Sequence, residues 1–208
     1  MRITVVGYGN IGSGIAQQLT AAGHDVVITG RDMARAAALA ESADALSLPL
    51  ESAAADAEVI VLAVPYDAAS DVLKAMGDLS EKTILDVTNP LTADYGGLTI
   101  GHTTSAAESI AQATPAAHVV KGFNTLFAQV IAKGGTFGEQ APPTFYAGDN
   151  DAAKSLVRRL IESIGFAPID AGPLRNARYL EPLAGLNIYF GYGAGQGTQI
   201  APMWLSRA

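Results

Sequence analysis

Gly7-Tyr8-Gly9-Asn10-Ile11-Gly12 follows directly on the apolar run Met1 to Val6. A strand, a glycine turn and a helix start in immediate succession can hold a dinucleotide pyrophosphate. Gly7 permits the tight turn, Gly9 lets the backbone approach the phosphates, and Gly12 lets the helix pack close to the sheet. The helix N-terminus then offers free N–H groups and a positive dipole end to the anion. Ile15, Ala16, Leu19 and Ala22 continue at helical spacing, and Gly23 ends the helix as a cap. A merely structural glycine turn is the plainer alternative, and the strand before and amphipathic helix after favour the dinucleotide.

The next apolar run, Asp25 to Thr29, leads into Gly30-Arg31-Asp32. In NAD-binding folds an acidic residue closes this second strand and holds the ribose 2′-hydroxyl. Gly30 stands there instead, so no carboxylate repels a 2′-phosphate. Arg31 follows and Arg35 lies one helical turn on, with the Thr29 hydroxyl nearby. Guanidinium suits phosphate because its fork donates two parallel hydrogen bonds. The expected cofactor is therefore NADP(H). Two competing readings stay open: both arginines are ordinary surface charges, or Asp32, two residues on, is the ribose acid.

These groups need a frame that brings them together. Short apolar runs alternate with helical periodicity. Strands are expected at Ala57–Val64, Lys82–Val87, His118–Gly122, Pro143–Ala147 and Phe166–Asp170. Helices are expected at Met33–Ser42, Ala68–Met76, Ser105–Ala113 and Ala152–Ile164. The alternation predicts an α/β, Rossmann, doubly wound and mostly parallel sheet, with a short C-terminal helical extension. Residues 1–208 read as one domain, with 1–170 the core sheet and 171–208 the extension. Leu174 to Tyr192 is expected to be helical in part, followed by the loop Gly193 to Gly197.

In such a sheet ligands bind beyond the carboxyl ends of the strands. Five segments meet that condition: 7–12, 29–31, 63–66, 88–90 and 123–125. Ala63, Val64 and Pro65 offer an apolar wall for a nicotinamide ring, although Pro65 and Pro90 are also ordinary strand ends. Tyr66 reads equally as an aromatic lid or as packing. Asn89 and Asn124 present amides for a carboxamide or an acceptor carbonyl, or form Asx turns.

Composition narrows the partners. The net charge is −7, against nucleic acid and anionic membranes. No apolar segment reaches membrane-spanning length, and the first strand leaves no room for a signal peptide, so a soluble cytoplasmic protein is expected. With no cysteine there is no disulfide or thiolate chemistry, and three scattered histidines make no metal site. His24 and His118 read as surface or structural, and His102, on a loop near the site edge, is the one to test for function.

The sequence resembles, nearly end to end, the NADPH-dependent reductases of the deazaflavin coenzyme F-420 and the NADPH-binding part of STEAP-type metalloreductases. The likeness rests on 7–12, Gly30-Arg31, Ala63-Val64-Pro65-Tyr66, Val120 to Thr125, Ala147-Gly148-Asp149, Asp170 to Leu174 and Asn176 to Glu181. It implies that Arg31 and Arg35 hold the 2′-phosphate, Tyr8 to Ile11 line the pyrophosphate, and Val64 and Pro65 lie beside the nicotinamide, with Asn124 as a further positioning candidate. It also implies hydride transfer between NADPH and a small-molecule redox acceptor, coenzyme F-420 or a flavin (FMN or FAD). A homodimer is expected. The archaeal deazaflavin reductases carry a His-Thr pair where this chain has Asn124-Thr125, and an indole where it has Tyr66. Those departures bear on the acceptor rather than the nucleotide.

The transfer needs both rings stacked in reach and no general acid. Two other classes compete. Reductases of small carbonyl or imine substrates resemble the N-terminal half but carry a long helical second domain where this sequence has 171–208. A non-catalytic NADP(H) sensor is the other. The apolar tail Leu183, Leu186, Ile188, Tyr189, Phe190, Met203 and Trp204 reads as an acceptor pocket or a dimer face.

Overall fold

Val6, the last residue of β1 (Arg2–Val6), pairs with Thr29 of β2 (Asp25–Thr29) on one side and with Leu62 of β4 (Val59–Leu62) on the other. The computed structural model, which describes residues 1–205 and 207, extends this into an eight-stranded sheet of order β3-β2-β1-β4-β5-β6-β7-β8. Its other strands are β3 (Leu46–Ser47), β5 (Thr83–Asp86), β6 (His118–Gly122), β7 (Pro143–Gly148) and β8 (Ala167–Asp170). The chain runs outward from β1 to β3 and then returns to β4 on the far side of β1. That reversal opens a crevice at the strand ends, where the glycine turn lies. Ser206 and Ala208, at the end of the expected extension, lie outside the described residues.

Strand alternation sends side chains to two helical layers. Ile3, Val5, Val59, Val61, Leu85 and Val120 pack with α1 (Asn10–Ala21), α2 (Met33–Ser42), α6 (Ala128–Lys133) and α7 (Asp151–Ser163). Val6, Ile60, Leu62, Ile84 and Val119 face α3 (Leu50–Ala53), α4 (Tyr66–Ala75) and α5 (Ala106–Ala113). A 3-10 turn at Leu174–Asn176 leads into α8 (Ala177–Ile188), which ends in a π turn at Tyr189–Gly193. Leu180 of α8 packs on Phe145 and Ala147 of β7. No helix among the described residues is long and apolar enough to cross a membrane.

The pairing of β6 with β7 is antiparallel, and β8 runs parallel to β7. The C-terminal ends of β7 and β8 therefore point away from the edge carrying the glycine turn. Two of the stretches that carry the family resemblance, 147–149 and 170–174, meet there. The Leu174 N–H donates to Asp149 Oδ1 (2.9 Å), and the Gly148 N–H to the Gly172 carbonyl (3.1 Å). Their task is to turn the chain from β8 into α8.

Candidate functional site

The parallel strands β1, β2, β4, β5 and β6 bring all five expected segments to one edge. The glycine turn is packed as its spacing requires. Gly7 has φ +119°, and a Cβ there would lie 2.2 Å from the Ala63 carbonyl oxygen. A Cβ on Gly12 would lie 2.2 Å from the Gly7 carbonyl oxygen. A Cβ on Gly9 would meet open space, so the concavity over the turn is free. No side chain caps the α1 N-terminus and no acid occupies its first turn, which leaves its N–H groups and dipole directed at that concavity. Ala63 and Val64 are half-buried behind the turn, while Pro65 is exposed and precedes α4.

Beside the turn, Tyr8 lies on Gly30. A Cβ on Gly30 would come within 2.5 Å of the Tyr8 ring, so the residue without a side chain is what admits the aromatic. The Arg35 guanidinium stands 4.6 Å from the ring centroid on a cation–π contact. The Tyr8 hydroxyl accepts the Asp32 N–H at 3.2 Å. Asp32 is the N-cap of α2, and its Oδ1 accepts the N–H groups of Ala34 (3.0 Å) and Arg35 (3.2 Å). That carboxylate is engaged by its own helix. Arg31 and Arg35 are exposed, and neither forms an ion pair among the described residues. Thr29 is fully buried, with its Oγ1 lacking a partner.

A cleft of about 990 Å³ opens next to the turn. Ile11 of α1, Asn89 after β5, and Asn124 to Ala128 after β6 form its inner side. The loop 91–98 and the α8 segment from Pro182 to Gly193 form its walls. Phe127, Tyr95, Tyr189 and Tyr192 supply aromatic surface, and Asp94 is the single charged lining residue. Asn89 and Asn124 clasp each other: Asn89 Nδ2 donates to the Asn124 carbonyl (2.9 Å) and Asn124 Nδ2 to Asn89 Oδ1 (3.0 Å). Asn124 Nδ2 also donates to the Leu180 carbonyl, at 3.0 Å. Asn124 Oδ1, Thr125 Oγ1 and Thr88 Oγ1 are buried without partners. Unpaired buried acceptors cost free energy unless a ligand or water completes them, so the inner side is built to receive hydrogen bonds.

Phe123 holds this corner. It adopts φ +59°, a left-handed conformation costly for a bulky residue, and is buried edge-on against Phe166. The turn it imposes after β6 aims Asn124 at Asn89.

Behind the cleft lies a closed ionic cluster. Lys121 Nζ, fully buried, donates to Asp86 Oδ2 (2.9 Å), Glu181 Oε1 (2.9 Å) and the Thr88 carbonyl (2.6 Å). Glu181 also accepts the N–H groups of Ala106 (2.9 Å) and Ala107 (3.2 Å) at the start of α5. On the same helix pair, Arg178 forms a bidentate bond to Glu108 at 2.9 and 2.6 Å.

Pro90 is buried at the end of the same segment and, like Tyr66, does not line the cleft. His102 is exposed on its loop, outside the lining. The apolar tail divides: Ile188 and Tyr189 line the cleft, whereas Leu186, Phe190, Met203 and Trp204 are exposed outside it. Tyr95, Tyr192 and the Lys121–Glu181 pair were not singled out as site residues from sequence. A lysine inside the apolar run of β6 was the available signal, because such a residue is seldom buried unpaired.

Residues 2–90 match the family described as "NADP oxidoreductase coenzyme F420-dependent". The chain is 31% identical over 206 residues to the F420-dependent NADP reductase of Methanothermobacter marburgensis, covering 90% of this chain and 91% of that protein. It is 30% identical over 182 residues to metalloreductase STEAP3 of Rattus norvegicus, covering 88% of this chain but 36% of that protein. A crystal structure from Arthrobacter sp. FB24, assigned to the F420-dependent NADP-reductases, superposes with a TM-score of 0.88 at 30% identity over 100% of both chains.

Proposed function

The chain belongs to the coenzyme F420-dependent NADP oxidoreductase family and is an NADP-dependent oxidoreductase, and from that premise we propose that it transfers a hydride between NADP(H) and the ring of a deazaflavin or flavin. The observation that carries this reading is that the two halves share α1. Gly9 and Asn10 start the helix at the glycine turn, and Ile11, the next residue, lines the large cleft. At about 990 Å³ that cleft lies at the upper end of small-molecule sites, which run to roughly 1,000 Å³.

Bound NADP(H) supplies or accepts the hydride at nicotinamide C4. Gly7, Tyr8, Gly9, Asn10, Ile11 and Gly12 take the pyrophosphate in the open concavity. Thr29, Gly30, Arg31 and Arg35 form the 2′-phosphate corner, where both guanidinium groups are exposed and form no ion pair among the described residues. Ala63, Val64 and Pro65 back the nicotinamide, and Asn89, Pro90 and Asn124 fix the opposite side. Asn124 Oδ1 and Thr125 Oγ1, buried and unpaired, receive polar edges of the nicotinamide or acceptor. Tyr95, Tyr189 and Tyr192 offer flat surfaces on which a planar ring stacks, excluding water from the transfer. No side chain needs to carry a proton.

We also assign residues 1–208 to one functional unit, with 1–170 as the nucleotide-binding sheet and 171–208 as an extension that supplies the cleft wall between Pro182 and Gly193 and offers a dimer contact. The test is anaerobic mixing of the enzyme and NADPH with oxidised coenzyme F-420, FMN or FAD in parallel. Loss of absorbance of at least one acceptor is expected. NADPH bound with every acceptor left oxidised would contradict the reading.

A further inference from the structure

The charged groups of the Lys121 cluster have no free polar atom to offer a ligand. All three ammonium donors are engaged by Asp86, Glu181 and the Thr88 carbonyl. Asp86 Oδ1 accepts the Thr88 N–H (2.9 Å), and both Glu181 oxygens accept α5 N–H groups. What it does instead is connect. At one end it grips Thr88 by both backbone groups, the residue before Asn89 and Pro90. At the other it grips α8 at Glu181, between Leu180, whose carbonyl takes the Asn124 amide, and Pro182, which lines the cleft. Asp86 and Lys121 are register partners on β5 and β6, so the tie crosses from the sheet edge to the helix in one step. A second tie runs beside it, from Asn89 through Asn124 to the Leu180 carbonyl. Apolar packing alone would hold α8 down without fixing its direction. Directed charge-assisted bonds in a buried setting fix both.

We propose that Lys121 and Glu181 are positioning residues that couple the nucleotide-binding edge to α8, so that nucleotide bound at Asn89 and Pro90 sets the wall against which the acceptor stacks. This rests on the assignment of that edge to NADP(H) given above. Neither residue touches the reacting atoms. Both act through the 88–90 segment and through α8.

The test compares the full-length wild type with Lys121→Met and Glu181→Gln. Glu181→Gln keeps the side-chain size and the Asp86–Lys121 pair, so it serves if Lys121→Met does not fold. NADPH affinity is measured by titration, and backbone amide exchange is followed with and without saturating NADPH. In the wild type, NADPH slows exchange in α8. In Glu181→Gln, NADPH affinity stays within about twofold, but the α8 response is lost. In steady state with the acceptor found above, kcat falls about tenfold with little change in KM for NADPH, as expected for lost positioning rather than lost binding. Wild-type α8 exchange indifferent to bound NADPH, or a variant that keeps the full response, overturns the coupling and leaves the functional assignment standing. A wild type that does not bind NADPH overturns both.

Discussion

At the residue scale, what a side chain already touches decides whether it is available to a ligand. Asp32 is the clearest case. Sequence spacing offers it as a rival ribose acid, and its Oδ1 takes two α2 N–H groups, which places it as a helix cap. That outcome was legible in principle, since an Asp just before a helical run is a strong N-cap signal. Arg31 is exposed and without an ion pair among the described residues, so its charge remains available. Arg31→Ala is expected to weaken NADPH by about 1.5–3 kcal/mol, the range for a charge-assisted hydrogen bond, and to leave NADH nearly unchanged. Titration of both nucleotides checks this, and equal losses would contradict the phosphate role. The contact between Tyr8 and Gly30 was not legible, because it depends on two distant backbone segments meeting.

The element scale explains why part of the site was hidden in the sequence. The helices α1 and α2 emerged from periodicity and caps, with α2 bounded at Met33 and Ser42 as expected. α8 carries Pro182 in its interior and ends in a π turn, both departures from the helical signal that periodicity reads. α6 is six residues long, too short to show a stripe. The reversal of β7 is set by its pairing with β6 and leaves no mark in an apolar run.

α8 is also where a pH dependence belongs. The Arg178 guanidinium, bonded to Glu108, holds the Glu108 carboxyl below its ordinary value, opposed by partial burial and helped by the Ser105 hydroxyl. A carboxyl lowered in the folded state stabilises it above the unfolded value, and that contribution is lost as pH falls through the folded one. Glu108→Gln should therefore lower Tm near neutral pH, with the deficit shrinking as the pH falls below the usual carboxylate range of about 4. Thermal unfolding across that range checks it, and a deficit independent of pH would rule out the ionic contribution of this pair.

At the scale of the whole molecule, the glycine turn and the α8 wall of the cleft come from opposite ends of the chain and meet over α1 and the ends of β5 and β6. The first 90 residues carry the family match, whereas the cleft is completed by 177–193. This is why the glycine turn was legible as a unit, whereas of the cleft only parts such as Asn89, Asn124, Ile188 and Tyr189 were. The former is a local strand–turn–helix motif, and the latter exists only once α8 folds back onto β6. Leu186 and Phe190 of the α8 region stay exposed outside the cleft, as do Met203 and Trp204. We propose that this surface joins two copies in a homodimer. A solution mass of two chains is the expected result, and a mass of one chain would remove the dimer.

We propose direct transfer: hydride passes from nucleotide to acceptor ring with no protein group handling a proton. Its most direct test uses NADPH deuterated at the transferred position and oxidised coenzyme F-420, followed by mass spectrometry of the reduced deazaflavin. Direct transfer predicts one deuterium retained on the ring carbon that is reduced. Reduced product without the label would contradict direct transfer.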